Sequence, residues 1–343
     1  MTQAFTKGLL ALAAGAALSA AVPAVAQDIF RFESVQPGST LGTVSLGFVQ
    51  AVEKHTKYKV QMSSGKPVTK SVLTGAQGDI DLFATSPGIL DSMKRGEDMY
   101  KKVKGAPELA KNVRGLFNFP LGMYHYLVWD ESGIKTLEDL KGKKLFLGPP
   151  GGQAPAVSSA LIEAVTGLKA KADYELMRFD WTSGRTAFSD RQMDLTGIPT
   201  SVPSTLIEEF GSSSPLRILG IPKNRIEEPA IKEILNRPGF SLGTIDPAAY
   251  GDKVVNKEPV YTMAAWIGLA TNNKVPEEVI YEMTKAVWEN VKDIHDMAAW
   301  GSRTVTKENA LIQMNIPLHA GAYRYYKESG FTVPDSLRPP EAK

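Results

Sequence analysis

The chain has 343 residues, with 39 basic against 37 acidic side chains and a formal net charge of +2. A charge this close to neutral argues against nucleic-acid binding, and the length fits two domains of about 100–200 residues each. Cysteine does not occur in the sequence. Its absence excludes disulfides, cysteine-based metal sites and a lipid anchor on an N-terminal cysteine.

The N-terminal residues have the pattern of an export signal. Lys7 precedes the apolar run GLLALAAGAALSAAV, which is too short to span a bilayer and is broken by Pro23. Ala24-Val25-Ala26 then has the small-x-small form of a signal-peptidase site. We therefore expect residues 1–26 to be a cleaved signal peptide and the mature protein to work in a bacterial periplasm.

After the signal, short strands and helices alternate, which is typical of α/β domains with mostly parallel sheets. The predicted strands are DIFRFESV, KYKVQM, DIDLFAT, LGMYHYLVW, YELMRF, QMDLTG and TMAAWIGLA, and VPEEVIYEMTKAVWENV is a clear amphipathic helix. The proline-rich and glycine-rich stretch 215–251 predicts irregular surface structure.

This order of elements predicts two α/β lobes, with the second inserted into the first. Residues 27–125 and 263–343 form lobe 1, and residues 126–262 form lobe 2. Two chain crossings, at 124–129 and 261–270, form the hinge. Because ligands bind outside the carboxyl ends of strands in such sheets, the ligand cleft is predicted between the lobes.

The stretch LFLGPPGGQAPAVSSALIEAVTG, residues 145–167, predicts a strand, a glycine-rich turn and a helix that ends at Gly167. Free N–H groups at the start of such a helix attract anions. GPPGGQ does not match the G-x-G-x-x-G template, because positions 149 and 150 are prolines. It does not match a P-loop, because no lysine follows the glycines. A small anion is therefore favoured over a nucleotide.

The sequence contains no recognisable catalytic motif. GTVSLG lacks the G-x-S-x-G spacing of a nucleophile elbow. The histidines stand alone, without His or carboxylate partners at ligand spacing; they are His55, His125, His295 and His319. The sequence therefore predicts a binding protein with no catalytic residue, no metal ligand and no cofactor.

Five stretches, in this order, resemble one family. They are GSTLGTVSLG (38–47), GDIDLFATS (78–86), SGIKTLEDLKGKKLFLGPPGG (132–152), VPEEVIYEMTKAVWEN (275–290) and IPLHAGAYRYYKESG (316–330). Together they resemble the solute receptors of tripartite ATP-independent periplasmic (TRAP) transporters, in the TAXI group.

The resemblance implies a two-lobed periplasmic binding protein, similar to the type II class, that closes around a small anionic metabolite. Dicarboxylates, 2-oxo acids and acidic amino acids such as glutamate or 2-oxoglutarate are the implied ligands. The implied partners are the integral-membrane permease subunits, usually coupled to sodium, and we expect the protein to be a monomer. Two other functions stay open: a binding protein for an ATP-driven importer or a membrane sensor, with an aromatic or other carboxylate ligand, and a periplasmic enzyme.

The predicted site combines helix starts with hydroxyl groups. One ligand carboxylate is expected at the helix that follows Gly151-Gly152-Gln153, where glycine lets the main chain approach closely. A second polar group would meet residues of the facing lobe. The hydroxyl-bearing residues predicted around the ligand are Ser34, Ser39, Thr40, Thr43, Ser64, Thr85, Ser86, Thr196, Thr200 and Ser201, together with Gly65.

Lys66 and Arg185 are the candidate cations, and for each a solvated surface position is the alternative. Trp181 directly follows a predicted strand and lies one helical turn from Arg185, so we expect it to face the cleft. Trp266 lies in the middle of an apolar strand. For this tryptophan a position in the core is favoured over a position in the ligand wall.

Overall fold

The computed structural model describes residues 29–35 and 38–342. The predicted signal peptide at 1–26 lies outside the described residues. Among the helices of these residues, none combines the length and the apolar character needed to cross a bilayer.

Strands and helices alternate along the chain, as predicted. The strands are β1 (Ile29–Glu33), β2 (Lys59–Ser63), β3 (Leu82–Thr85), β4 (Val113–Trp129), β5 (Lys144–Phe146), β6 (Glu175–Leu176), β7 (Leu195–Thr200), β8 (Leu216–Leu219), β9 (Phe240–Ile245) and β10 (Val260–Asn272). The helices are α1 (Thr40–His55), α2 (Val68–Gln77), α3 (Pro87–Arg95), α4 (Ala106–Ala110), α5 (Gln153–Thr166), α6 (Trp181–Ser189), α7 (Thr205–Ser213), α8 (Pro229–Leu235), α9 (Glu277–Glu289), α10 (Lys292–His295), α11 (Gly301–Thr304) and α12 (Ala320–Glu328).

The strands form one sheet in the order β2-β1-β3-β10-β4-β7-β5-β6, with β8 also beside β4 and β9 also beside β10. Strands β1, β2 and β3 are parallel at one end, and β5, β6 and β7 are parallel at the other. The central strands β4 and β10 are 17 and 13 residues long and pair with each other in antiparallel register. These two long strands carry the chain from one half of the sheet to the other.

Buried apolar residues divide into clusters on the two sides of this central pair. One set, called lobe 1 here, draws its core residues from 32–119 and 267–337. The other set, lobe 2, draws its core residues from 124–265. The prediction of two α/β lobes is confirmed. The predicted boundaries at 125/126 and 262/263 fall inside β4 and β10, and they stay a prediction.

Helix ends follow local chemistry closely. Gly167 ends α5 in the left-handed conformation at φ 78°, which glycine adopts without a Cβ penalty. Helix α9 begins after Pro276, and its apolar face is buried. Both helices were predicted. Several strands differ from their predicted bounds: β4 begins at Val113 and not at Leu121, β6 is only two residues long, and β7 begins at Leu195 and runs on to Thr200.

The prediction of irregular structure at 215–251 was wrong. This stretch contains β8, α8 and β9, and the two strands pair with β4 and β10. Its prolines lie at the starts of elements: Pro229 is the first residue of α8, and Pro222 caps a short 3-10 helix. Proline is well tolerated at these positions, so its frequency here marks element boundaries and not irregularity.

Candidate functional site

A cavity of about 430 Å³ lies between the two lobes. Its walls contain residues that follow the carboxyl ends of parallel strands in both lobes, such as Val35 after β1, Ser86 after β3 and Pro149 after β5. The central strands contribute Leu121 from β4 and Trp266 from β10. The cleft is therefore at the sheet edge where this class of fold places its ligands.

Five helices begin at the cavity. Their N-cap residues, all in its lining, are Ser39 of α1, Pro67 of α2, Ser86 of α3, Gly152 of α5 and Asp180 of α6. Pro67 and Gly152 make no capping hydrogen bond through a side chain. The dipoles of five helices thus have their positive ends at one cavity, which favours a negatively charged occupant.

The structure brings about half of the predicted site residues together at this cavity. In its lining are Ser39, Gly65, Lys66, Ser86, Gly152, Gln153, Trp181 and Arg185. Outside its lining are Ser34, Thr40, Thr43, Ser64, Thr85, Gly151, Thr196, Thr200 and Ser201.

Several predicted residues outside the lining bind other parts of the protein. The Ser201 N–H donates to Thr40 Oγ1 at 3.2 Å, which joins lobe 2 to lobe 1. Thr69 Oγ1 donates to the Gly151 carbonyl at 2.9 Å and makes a second contact of this kind. A polar group at a cleft can form a hydrogen bond with the opposite lobe as readily as with a ligand. The residue type alone does not tell which of the two partners it binds.

Other predicted residues lie within one lobe. Ser34 Oγ is 2.6 Å from Ser45 Oγ, and Thr200 Oγ1 is 3.3 Å from Ser204 Oγ. Thr43 lies in the first turn of α1, and Ser64 lies in an exposed loop after β2. The hydroxyls of Thr85 in β3 and Thr196 in β7 are buried, and no hydrogen bond within the described residues reaches either of them.

Gln153 reaches across the cleft. Its Oε1 accepts a hydrogen bond of 2.8 Å from Ser86 Oγ in lobe 1. A Cβ on Gly88 would lie 2.1 Å from Gln153 Nε2 and 2.9 Å from the Pro238 carbonyl oxygen, so only glycine fits at this point of the interface. The lobes are in direct contact here, and we call this arrangement the closed form.

Arg185 is the cation of the cavity lining that makes no ion pair within the described residues. It is half-buried, and its Nε atom is buried with no hydrogen-bond partner in the described part of the chain. Burial lowers the pKa of Arg185, against a smaller raising effect from Glu209. A guanidinium keeps its proton even so. Because Arg185 lines the cavity, an anion there would lie near its positive charge.

Lys66 differs from Arg185 because its charge already has a partner. Its Nζ forms an ion pair with Glu33 Oε1, and the Glu33 side chain is only 10% exposed. The second oxygen of Glu33 is buried without a hydrogen-bond partner among the described residues. Glu33 was not predicted as a site residue. The signal available in the sequence is an acidic residue at the last position of β1, directly after Phe32.

Aromatic rings line much of the cavity. Trp181 lies in the lining, with its ring edge-on to Phe146 at 5.5 Å between centroids. The interpretation of Trp266 as a core residue was wrong, because this side chain also lines the cavity. The pairing of β10 with β4 shifts register between positions 265 and 266, and such a bulge redirects the side chains beside it. Tyr124 and Phe240, which were not predicted, complete the aromatic lining, 6.4 Å apart.

The histidines have roles in structure. His125 is buried: its Nδ1 donates to a main-chain carbonyl at 2.9 Å, and the Tyr250 hydroxyl donates to its Nε2 at 2.9 Å. Burial lowers the pKa of His125 to about 4 and has the same effect on the buried His319. His55 has no carboxylate partner at ligand spacing in the sequence, and in the fold its Nε2 lies 3.0 Å from Asp293 of the distant α10. Within the described residues, no group of three or more His, Cys, Asp or Glu side chains could hold a metal ion.

Solved structures with low identity are similar to this chain. A TRAP periplasmic solute-binding protein from Shewanella oneidensis with bound succinate is 12% identical, with a TM-score of 0.47 over 81% of this chain and 83% of that chain. One from Pseudomonas aeruginosa with bound L-malate is 13% identical, with a TM-score of 0.44 over 80% and 88%. The alkanesulfonate-binding protein SsuA from Xanthomonas axonopodis, bound to MOPS, is 12% identical, with a TM-score of 0.46 over 89% and 91%.

A match to a family model covers far more than half of the chain. The model describes the NMT1-like family and matches residues 41–330. The matched region includes both lobes, the two long strands between them and every residue of the cavity lining except Val35 and Ser39. The chain therefore belongs to the NMT1-like family.

Proposed function

We propose that this protein is a periplasmic solute-binding protein that encloses a small organic acid between its lobes. We further propose that it belongs to the TAXI group and delivers the acid to the membrane permease of a TRAP transporter, which an ion gradient drives. The observation that carries the proposal is Arg185, a half-buried cation in the lining of the cavity that makes no ion pair within the described residues. The five helix starts around the same cavity support it.

Capture follows from the contacts between the lobes. The closed form is held by Gln153 on Ser86 and by the Thr40–Ser201 and Thr69–Gly151 hydrogen bonds. A ligand that binds this form better than the open form shifts the balance by that difference in affinity. Charge-assisted hydrogen bonds to an anion contribute about 1.5–3 kcal/mol each, and micromolar binding needs about 8 kcal/mol in total.

We also propose that the protein works as a binding protein and not as an enzyme. Its buried histidines are neutral and hold main-chain carbonyls or a tyrosine, so they are placed for structure and not for proton transfer at the cavity. We propose a permease as the partner, and not an ATPase, because the five sequence stretches resemble the receptors of TRAP transporters.

Titration calorimetry of Arg185→Gln tests the proposal. The probes are succinate, 2-oxoglutarate, glutamate and phenylacetate, offered first to the wild type. For each acid that binds, we expect Arg185→Gln to weaken the affinity by about 10- to 150-fold, the equivalent of about 1.5–3 kcal/mol. Arg31→Gln is the control, since Arg31 is 58% exposed and lies outside the cavity. Equal loss in both variants, or loss in neither, would contradict the proposal.

A further inference from the structure

The walls of the cavity indicate what kind of acid fits. Four large aromatic side chains, Tyr124, Trp181, Phe240 and Trp266, line it from both long strands and from lobe 2. A volume of about 430 Å³ lies in the range of about 300–1,000 Å³ that is usual for ligands with a sizeable apolar body. Tyr124 and Phe240 are only 3% and 6% exposed, whereas Trp181 and Trp266 are partly exposed. A short, wholly polar diacid would leave the two tryptophans in contact with water. A flat ring would cover them and could stack on the indole faces.

The charges of the cavity point to a single anionic group on the ligand. Arg185 has no carboxylate within ion-pair distance among the described residues, so its charge is available. Lys66, the other cation in the lining, is already paired with Glu33. A second ligand carboxylate at Lys66 would lie beside the carboxylate of Glu33, which is only 10% exposed, and the two like charges would repel each other.

Resting on the proposed function, we infer that the ligand is an aromatic monocarboxylate. Its carboxylate binds Arg185, its ring lies against the aromatic walls, and the Glu33–Lys66 pair excludes diacids. Glu33 is in this reading a specificity-determining residue: it neutralises Lys66 and leaves the cavity with one usable positive charge.

Calorimetry on the wild type tests the ligand class directly. The aromatic probes are phenylacetate, 3-phenylpropionate and indole-3-acetate, and the diacid probes are succinate and 2-oxoglutarate. We expect at least one aromatic acid to bind at least tenfold tighter than either diacid. Equal or tighter binding of a diacid would overturn the inference and leave the proposed function standing. If none of the five acids binds, both fail.

The variant Glu33→Gln tests the role of the ion pair. Removing the carboxylate frees Lys66, so we expect the preference for the aromatic acid over succinate to fall at least tenfold. Glu108→Gln is the matched control, because Glu108 is 73% exposed and pairs only with a surface lysine. Circular dichroism checks that the variants fold. An unchanged preference in folded Glu33→Gln would overturn the assignment of Glu33, and the wild-type comparison tests the ligand class without any variant.

Discussion

Gly88, the second residue of α3, lies against lobe 2, and alanine at this position would put a methyl group into the closed interface. The new Cβ would be 2.1 Å from Gln153 Nε2 and 2.9 Å from the Pro238 carbonyl oxygen. The glutamine can turn away, which loses its hydrogen bond to Ser86, worth about 0.5–1.5 kcal/mol. The carbonyl belongs to the main chain, and overpacking against it costs about 1–3 kcal/mol.

Together these effects disfavour the closed form by about 1.5–4.5 kcal/mol, so we expect Gly88→Ala to bind the proposed acid about 13- to 2,000-fold more weakly. The open form loses nothing, since alanine is a better helix former than glycine by about 1 kcal/mol. Gln153→Ala is the comparison variant: it removes the hydrogen bond to Ser86 without adding a methyl group to the interface, and loss of that bond should cost about 2- to 13-fold.

Calorimetry with the acid that the wild type binds measures the affinity, and small-angle scattering measures the radius of gyration with and without that acid. We expect the wild type to become more compact with ligand and Gly88→Ala to stay extended. If Gly88→Ala binds within twofold of the wild type and closes to the same radius, the contact between Gly88 and lobe 2 is not part of the ligand-bound state, and the reasoning is refuted.

Two further predictions concern stability. His125 and His319 have pKa values near 4 when folded against 6.5 unfolded, so the unfolded chain takes up protons first as the pH falls. The free energy of unfolding should therefore fall between pH 6.5 and 4, by up to about 3 kcal/mol per histidine. Urea titrations should show a shallower pH slope for His125→Asn, and an identical slope would contradict this. Gly75→Ala puts a Cβ 2.1 Å from the buried Phe83 ring and should cost about 1–3 kcal/mol in the same assay; an unchanged midpoint would be the contrary result.

Local patterns were sufficient to predict helix α5, which begins at the cavity, and helix α9 in lobe 1. The start and end of α5 depend on a glycine-rich turn and on Gly167, and the amphipathic face of α9 is legible in its sequence. The position of Arg185 follows from the same logic, since it lies one turn after Trp181 on α6. These features depend on neighbours within a few residues, which a sequence displays directly.

Features that depend on distant partners could not be predicted in this way. The ion pair of Glu33 and Lys66 joins residues 33 positions apart, and its existence decides whether Lys66 has a free charge. The direction of Trp266 depends on a register shift between two strands more than a hundred residues apart in the chain. The hydrogen bonds that Thr40, Ser201 and Gln153 form between the lobes depend on the distance between the two lobes in the fold.

The long strand β10 has a consequence for the order in which the protein can fold. It lies between β3 and β4, so the sheet of lobe 1 is incomplete until residue 272 has emerged, whereas the core residues of lobe 2 all lie within 124–265. During synthesis from the N terminus, the inserted lobe therefore has all of its core before the first lobe does. Until β10 is added, one edge of β3 is unpaired. Other chains can pair with such an edge and aggregate. The N-terminal part of lobe 1 is therefore at risk of aggregation until β10 has been made.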